Sequence, residues 1–214
     1  MQVINQLNIT KVMISVAVLL AILILFINSI VFNKDIPDLL VDVKTDSIKP
    51  VLGFSLIDHN ENKITSETFK GYWTFVFFGF TNCPDVCPAT LSQLVQLNKR
   101  IEQKQYMAGK FRTLFVSVDP DRDGTKHIKE YVKYFNPGFV GATGKMKDIL
   151  NFEKQFGAFH VIGDKSNENY TVGHTASVFL VNPGGVITAK FSPPMAISVV
   201  MQQIDMFMDR YAKM

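Results

Sequence analysis

Cysteine is scarce in this chain of 214 residues, which contains only Cys83 and Cys87. Two cysteines are too few for the disulfide framework of a small secreted domain, and their closeness in sequence favours a chemical role. Charged residues are also few, at 19%, and no basic stripe occurs, so a nucleic-acid partner is not expected. A polar low-complexity tract is absent and 12% of the residues are aromatic, which excludes a disordered protein.

Only one long hydrophobic run occurs, VMISVAVLLAILILFINSIVF at residues 12–32, and it contains no charge. This run accounts for the positive mean hydropathy of +0.14, and its being single excludes a multi-span transporter. As a helix it would span about 30 Å, the thickness of a hydrocarbon core. A cleavable signal peptide would have a shorter apolar region, and a buried core helix would show a polar face. The sequence therefore predicts a retained transmembrane anchor, and the flanking charges favour a cytoplasmic N-terminus.

The chain after residue 50 alternates predicted strands and helices. The elements are a β-hairpin (54–57 and 63–65), a buried strand (72–80), a helix (89–106), a second buried strand (111–118), a helix (125–135), a short strand near 139–140, a helix (145–157), a second hairpin (175–181 and 185–191) and a final helix (196–211). The two buried strands and the helix between them form a βαβ unit with a right-handed crossover. This order predicts the α/β class, as a thioredoxin-like fold with an N-terminal β-hairpin, preceded by one transmembrane helix.

Four regions follow from this organisation. They are a short cytoplasmic N-terminus (1–11), a transmembrane anchor (12–32), a polar tether with two prolines (33–50) and one thioredoxin-like domain (51–214).

The segment GFTNCPDVCP at 79–88 carries the clearest chemical signal. Cys83 is expected in the loop after the first buried strand and Cys87 in the first turn of the next helix, a spacing that can bring both sulfurs to one side. A helix N-terminus lowers the pKa of a nearby thiol and favours the thiolate, which attacks disulfides and binds metals. The pair is therefore suited both to forming a disulfide and to binding a soft metal.

His174 is the third candidate residue. It immediately precedes the strand predicted at 175–181, which runs antiparallel to the βαβ strands and so begins at the sheet edge where the cysteine loop lies. Two thiolates and an imidazole suit copper, particularly Cu(I), whereas structural zinc requires four protein ligands and no fourth candidate is evident. The other histidines, His59, His127 and His160, are interpreted as structural or surface residues.

Three further features have two interpretations each. Asp85 either orients a ligand or partner, or is a solvated carboxylate that caps the helix. The acidic segment 119–123 has no glycine-rich cradle for a phosphate or Mg²⁺, so we expect an exposed, internally paired turn. Met195 is a soft ligand on paper, but core packing is the better interpretation in a chain with nine methionines.

Three segments together resemble the Sco/SenC family of membrane-anchored copper proteins. They are TNCPDVCP at 81–88, VSVDPDRD at 116–123 and GHTASVFLVNPGG at 173–185. The resemblance implies a thioredoxin-like domain that binds one copper ion through Cys83, Cys87 and His174. It also implies delivery of copper to, or reduction of the cysteines of, the binuclear copper site in cytochrome c oxidase subunit II. Members often carry an acidic residue immediately before the histidine, where this sequence has Gly173.

Three functional hypotheses remain at this stage. The first is a copper chaperone without turnover, carrying Cu(I), with Cu(II) left open, to cytochrome c oxidase subunit II or another copper acceptor. The second is a thiol–disulfide oxidoreductase that uses Cys83 and Cys87 as a redox-active pair to keep a target's cysteines reduced. A peroxidase needs one activated cysteine, and the paired motif argues against it. Without an Arg- and Ser-rich transit segment, we expect a bacterial inner membrane, with the domain in the periplasm, rather than a mitochondrial inner membrane.

Overall fold

A computed structural model of the chain describes residues 11, 13–26, 50–166 and 170–213, which fall in two units, Met1–Asp38 and Leu39–Met214. In the first unit, residues 13–26 form helix α1. Across the described ranges, no helix combines the length and the apolar character that a membrane crossing requires. Residues 12 and 27–32 of the predicted anchor, and 33–49 of the predicted tether, lie outside the described residues.

The second unit contains the predicted alternation of strands and helices, and adds one strand pair. Its elements are β1 (Leu56–Asp58), β2 (Lys63–Ile64), β3 (Trp73–Gly79), α2 (Val86–Glu102), β4 (Phe111–Ser117), α3 (Thr125–Phe135), β5 (Val140–Thr143), α4 (Met146–Phe156), β6 (His160–Ile162), β7 (Val172–His174), β8 (Val178–Val181), β9 (Ile187–Phe191) and α5 (Ile197–Ala212). Both predicted β-hairpins are confirmed, as β1–β2 and β8–β9.

Seven strands form one mixed sheet in the order β2-β1-β5-β4-β3-β8-β9. Strands β3, β4 and β5 are parallel, so their carboxyl ends share one edge, and β8 runs antiparallel to β3 and begins at that edge. The side chains of β3 alternate between two cores: Phe75 and Phe77 pack with α2, α3 and α5, whereas Val76 and Phe78 pack with α4. Each buried phenylalanine contributes about 1.5–3 kcal/mol, so β3 anchors both layers. The apolar run at 72–80 is therefore a central strand, as its composition predicts.

Strands β6 and β7 form a separate antiparallel ribbon that the sequence analysis does not predict. In this ribbon His160 lies opposite His174. The expectation that His160 lies in a loop and that His174 directly precedes the next strand is therefore wrong, because each belongs to a strand of three residues. Strands this short contain too few alternating positions to be recognised from sequence.

Candidate metal centre

Cys83, Cys87 and His174 meet at the carboxyl edge of the sheet. Their ligand atoms all lie within 4.8 Å of one another. Nε2 of His174 is 3.4 Å from Sγ of Cys87 and 4.0 Å from Sγ of Cys83. Cys87 is fully buried, whereas Cys83 and His174 are half-buried. The structure thus brings together the three residues that the sequence analysis selects.

The end of β3 fixes the position of Cys87. Helix α2 begins at Val86, so Cys87 is its second residue and lies directly above the last residue of β3, Gly79. A Cβ atom at Gly79 would lie 2.6 Å from Sγ of Cys87 and 2.8 Å from Cε2 of Phe115. Only glycine leaves room for the sulfur at this distance. Sequence reasoning missed this role, and its only signal is a glycine at the end of a buried strand just before the cysteine loop.

A buried carboxylate holds the cysteine loop against the sheet. Asp123 accepts hydrogen bonds from the backbone N–H of Thr81 at 2.9 Å, from the hydroxyl of Thr81 at 2.5 Å and from the hydroxyl of Ser117 at 2.5 Å. The segment 119–123 is internally paired and its Asp121 is exposed, but Asp119 and Asp123 are each only 1% exposed, so the expected exposure is wrong for these two carboxylates. Thr81, which is distant in sequence, donates two of the hydrogen bonds that satisfy the Asp123 carboxylate and allow it to be buried.

The same turn reaches the histidine through aromatic rings. Asp119 accepts hydrogen bonds from Arg122 and, at 2.6 Å, from the hydroxyl of Tyr170. The Arg122 guanidinium lies 3.6 Å from the centre of the Tyr170 ring and 5.7 Å from that of Phe80. The Phe80 ring meets the imidazole of His174 edge to face, with centres 5.8 Å apart. The turn therefore supports the wall against which the imidazole packs.

Backbone contacts select the tautomer of His174. Its Nδ1 lies 3.2 Å from the carbonyl oxygen of Thr175. A carbonyl only accepts hydrogen bonds, so Nδ1 carries the hydrogen of the neutral imidazole and the lone pair of Nε2 faces the two sulfurs. This is the arrangement that a metal-ligating histidine needs.

A buried contact between His160 and Glu153 joins the ribbon that carries His174 to helix α4. Nδ1 of His160, opposite His174 in the ribbon, lies 2.7 Å from Oε2 of Glu153, and the two side chains are 4% and 2% exposed. Thr175 and Phe159 form two further hydrogen bonds. The N–H of Thr175 donates to the carbonyl of Phe159 at 3.0 Å, and the N–H of Phe159 donates to the hydroxyl of Thr175 at 3.0 Å. These contacts are consistent with the structural interpretation of His160. They also support the candidate metal centre, because His160 lies opposite His174 in the ribbon.

The two thiols have opposite electrostatic environments. The pKa of Cys83 is lowered to about 4, chiefly by the hydrogen bond from the Cys87 thiol, with further contributions from the backbone N–H groups of Cys87 and Asp85. The pKa of Cys87 is raised by its hydrogen bond with Cys83 and by burial. One proton is thus shared by the pair, with Cys83 as the thiolate.

The remaining candidates lie outside this cluster. Asp85 occupies the N-cap position of α2 and is exposed, but its side chain makes no capping hydrogen bond, so the capping interpretation is wrong. His59 is buried and accepts the N–H of Gly141 at Nδ1, whereas His127 is exposed near the start of α3. Met195 is 5% exposed and belongs to the core, as expected.

An α/β domain with two free cysteines and a histidine at one edge of a mixed sheet defines a thioredoxin-type protein suited to thiol or metal chemistry. The SCO1/SenC family model matches residues 44–209, so this chain belongs to that family.

Solved and curated relatives agree with this assignment. Arabidopsis thaliana ScoI with copper bound is 27% identical, with a TM-score of 0.69, over 75% of this chain and 99% of that one. Apo Sco1 from Thermus thermophilus is 30% identical, with a TM-score of 0.67, over 76% and 93% of the two chains. The human mitochondrial SCO1 homolog is 36% identical over 140 residues, which are 64% of this chain and 46% of the human protein. The aligned part therefore spans less than half the length of that human relative.

Proposed function

We propose that this protein is a membrane-anchored copper chaperone that binds one copper ion through Cys83, Cys87 and His174 and passes it to a copper acceptor. The observation that carries the proposal is the convergence of three soft ligand atoms within 4.8 Å. The copper in the Arabidopsis relative's structure supports the choice of metal. The family resemblance implies the copper site of cytochrome c oxidase subunit II as the acceptor, with another copper acceptor as the alternative.

The donor set fits copper better than zinc. Two thiolate sulfurs and one imidazole nitrogen are soft ligands that suit Cu(I). Structural zinc takes four protein ligands, and among the described residues no fourth His, Cys, Asp or Glu joins the cluster. The lone pair on Nε2 and the thiolate on Cys83 present two donors that need no further deprotonation at neutral pH.

The exposure of the three ligands favours release by ligand exchange. Cys87 is fully buried, so an acceptor ligand must approach from the side of Cys83 and His174, which are half-buried. A new acceptor bond can then form before the bond to Cys87 breaks, and the copper ion is never without ligands. A carrier needs this combination of protection and access.

The location of the domain rests on the sequence. The charge-free run at 12–32 favours a single anchor, its flanking charges favour a domain on the outer side, and we place it at a bacterial inner membrane. An acceptor embedded in the same membrane would then be reached by diffusion in two dimensions.

A second candidate function is reduction of a target disulfide, favoured by the opposite pKa shifts of the two thiols. The Cys83 thiolate would attack one target sulfur, forming a mixed disulfide and releasing the other target sulfur as a thiolate. Cys87, after losing its proton, would then attack the Cys83 sulfur of the mixed disulfide and release the target sulfur bonded to it as a thiolate. The target gains two electrons and this protein ends with a Cys83–Cys87 disulfide.

Copper titration of the reduced full-length protein in detergent, without oxygen, tests the first proposal. We expect one Cu(I) per chain in wild type and in the control His127→Ala, which alters an exposed histidine. His174→Ala should weaken binding by about tenfold or more, the equivalent of about 1.4 kcal/mol, while the cysteines still form a disulfide. Equal affinity in wild type and His174→Ala would remove this histidine from the site. Rapid turnover of disulfide substrates by copper-free protein would instead favour the reductase.

A further inference from the structure

A polar cavity lies at the opposite end of the sheet from the cysteines. It has a volume of about 230 Å³, and its lining includes Lys63, Thr68, Thr74 and Arg112. Thr74 and Arg112 are direct partners in the parallel pairing of β3 and β4. Thr74 precedes the last residue of β3 by five positions, so at about 3.3 Å per residue the cavity is about 16 Å from the site of Cys87.

Arg112 is a half-buried cation without a carboxylate partner among the described residues. Its guanidinium lies 4.1 Å from the centre of the Tyr72 ring and donates one hydrogen bond to the carbonyl of Thr68. Its Nε is buried and has no hydrogen-bond partner. Buried charges in proteins are normally paired, so this arginine lacks the anion that its surroundings call for.

Among the described residues, Asp58 is the one carboxylate on the cavity wall, and it already accepts several hydrogen bonds. Asp58 accepts the backbone N–H of Asn60 at 2.7 Å, the backbone N–H of Asn62 at 2.9 Å and the side-chain amide of Asn62 at 3.1 Å. These bonds hold the turn between β1 and β2 and lower the pKa of Asp58 against the effect of burial. Asp58 is therefore committed to the turn and does not serve as the counter-ion of Arg112.

Thr74 supplies an independent sign of a missing ligand. It is only 2% exposed, and its hydroxyl is buried without a hydrogen-bond partner. An unpaired buried hydroxyl costs about 1–3 kcal/mol. Thr74 and Arg112 are thus neighbouring residues on one cavity wall, and each has an unpaired polar atom.

We propose that this cavity binds a small free oxyanion of the phosphate or sulfate type between Arg112, Thr74 and Lys63. The charged side chains on its wall are Arg112 and Lys63 against Asp58, a net charge of +1 that favours an anion. Its volume of about 230 Å³ is below the roughly 300–1,000 Å³ of drug and cofactor pockets, which excludes a nucleotide. The anion would join the β1–β2 hairpin to the start of β3 and β4, and would not involve the copper ligands.

Calorimetric titration of the full-length protein in detergent with inorganic phosphate, against chloride at equal ionic strength, tests this site. We expect one saturable site in wild type and in the control Arg100→Gln, which alters an exposed arginine of α2. Arg112→Gln should weaken binding by about tenfold or more, because a hydrogen bond to a charged group contributes at least that much. Copper affinity should be unchanged in Arg112→Gln, so the outcome is separate from that of the copper proposal.

Thr74→Val keeps the shape of the side chain and removes the hydroxyl. We expect phosphate binding to weaken by about two- to tenfold, the contribution of a neutral hydrogen bond. Without phosphate the variant should unfold at the same or a higher temperature than wild type, because the lost hydroxyl has no partner there. Absence of phosphate binding by wild type, or equal affinity in wild type, Arg112→Gln and Thr74→Val, would overturn the proposal.

Discussion

The sharpest test of the copper site is the replacement of Gly79 by alanine. The added methyl carbon would lie 2.6 Å from Sγ of Cys87 and 2.8 Å from Cε2 of Phe115, whereas non-bonded carbon contacts are optimal at about 3.5–4.0 Å. The backbone of Gly79 cannot easily withdraw, because its carbonyl accepts the N–H of Val118 at 2.9 Å and β3 pairs with β4 through this residue. The sulfur and the ring must therefore move by roughly 1 Å.

Two quantities should change in Gly79→Ala. Overpacking of a dense core costs about 1–3 kcal/mol, which for a chain of this size lowers the unfolding temperature by about 2–12 °C. A metal–ligand distance tolerates a deviation of only about 0.2 Å, so a sulfur displaced by about 1 Å is no longer at bonding distance from the metal. We expect the Cu(I) affinity to fall by about 10- to 100-fold, the range found when the support of a metal ligand is lost. Thermal unfolding of the apo protein and competition with a Cu(I) chelator measure the two effects.

Gly141→Ala is the matched control. Its Cβ would lie 2.2 Å from Cγ2 of Ile128 and 3.1 Å from Cγ1 of Val132, on the face of β5 that packs against α3. This variant should lose stability as well, yet keep Cu(I) affinity within about twofold, because neither neighbour is a ligand. If Gly79→Ala kept wild-type copper affinity, or if both variants lost affinity equally, the argument that Gly79 makes room for Cys87 would be refuted.

Two further predictions concern histidines. Glu153→Ala should leave His160 unpaired, loosen the β6–β7 ribbon and lower Cu(I) affinity more than Glu153→Gln, which keeps a hydrogen-bond acceptor. In a His174→Ala background the effect of Glu153→Ala on Cu(I) affinity should disappear. Persistence of the effect in that background would exclude action through His174. The pKa of His59 is lowered chiefly by burial, with Lys133 and Lys129 adding to the effect, and its neutral Nδ1 accepts the N–H of Gly141. The unfolded state therefore binds the proton more readily, so this contribution to stability should be complete above about pH 6.5 and be lost as the pH falls through the folded pKa. Urea unfolding at pH 7.5 and pH 5 should show a smaller difference in His59→Ala than in wild type.

The sequence predicts those parts of the fold that depend on local pattern. The apolar run at 72–80 could only be a strand buried on both faces, and the structure places Phe77 and Phe78 in different cores. His174 could be selected although it is 87 positions from Cys87, because it lies four residues before β8, and sheet topology brings the start of β8 to the cysteine edge. Local pattern and topology thus predict the three residues of the candidate site.

The supporting residues could not be predicted, because their roles exist only in the folded chain. Asp123 is buried because its carboxylate accepts hydrogen bonds from groups that include the distant Thr81, and no pattern near Asp123 in the sequence indicates that partner. The role of Gly79 depends on the sulfur that the next helix places above it. Glu153 and His160 are seven residues apart on different elements, so their pairing requires the turn between α4 and β6.

The three ligands are held with unequal firmness, and this bears on the order of copper transfer. Cys87 is fully buried at the start of α2, above a seven-stranded sheet. His174 lies instead on a two-stranded ribbon, a structure that is only marginally stable without further support. That support comes from the pair of His160 and Glu153 and from the rings around the imidazole. His174 can therefore move away from the copper ion by loosening a few contacts at one side of the site, without disturbing the main sheet. For the proposed transfer we therefore expect His174 to leave the copper ion first, and Cys87 last.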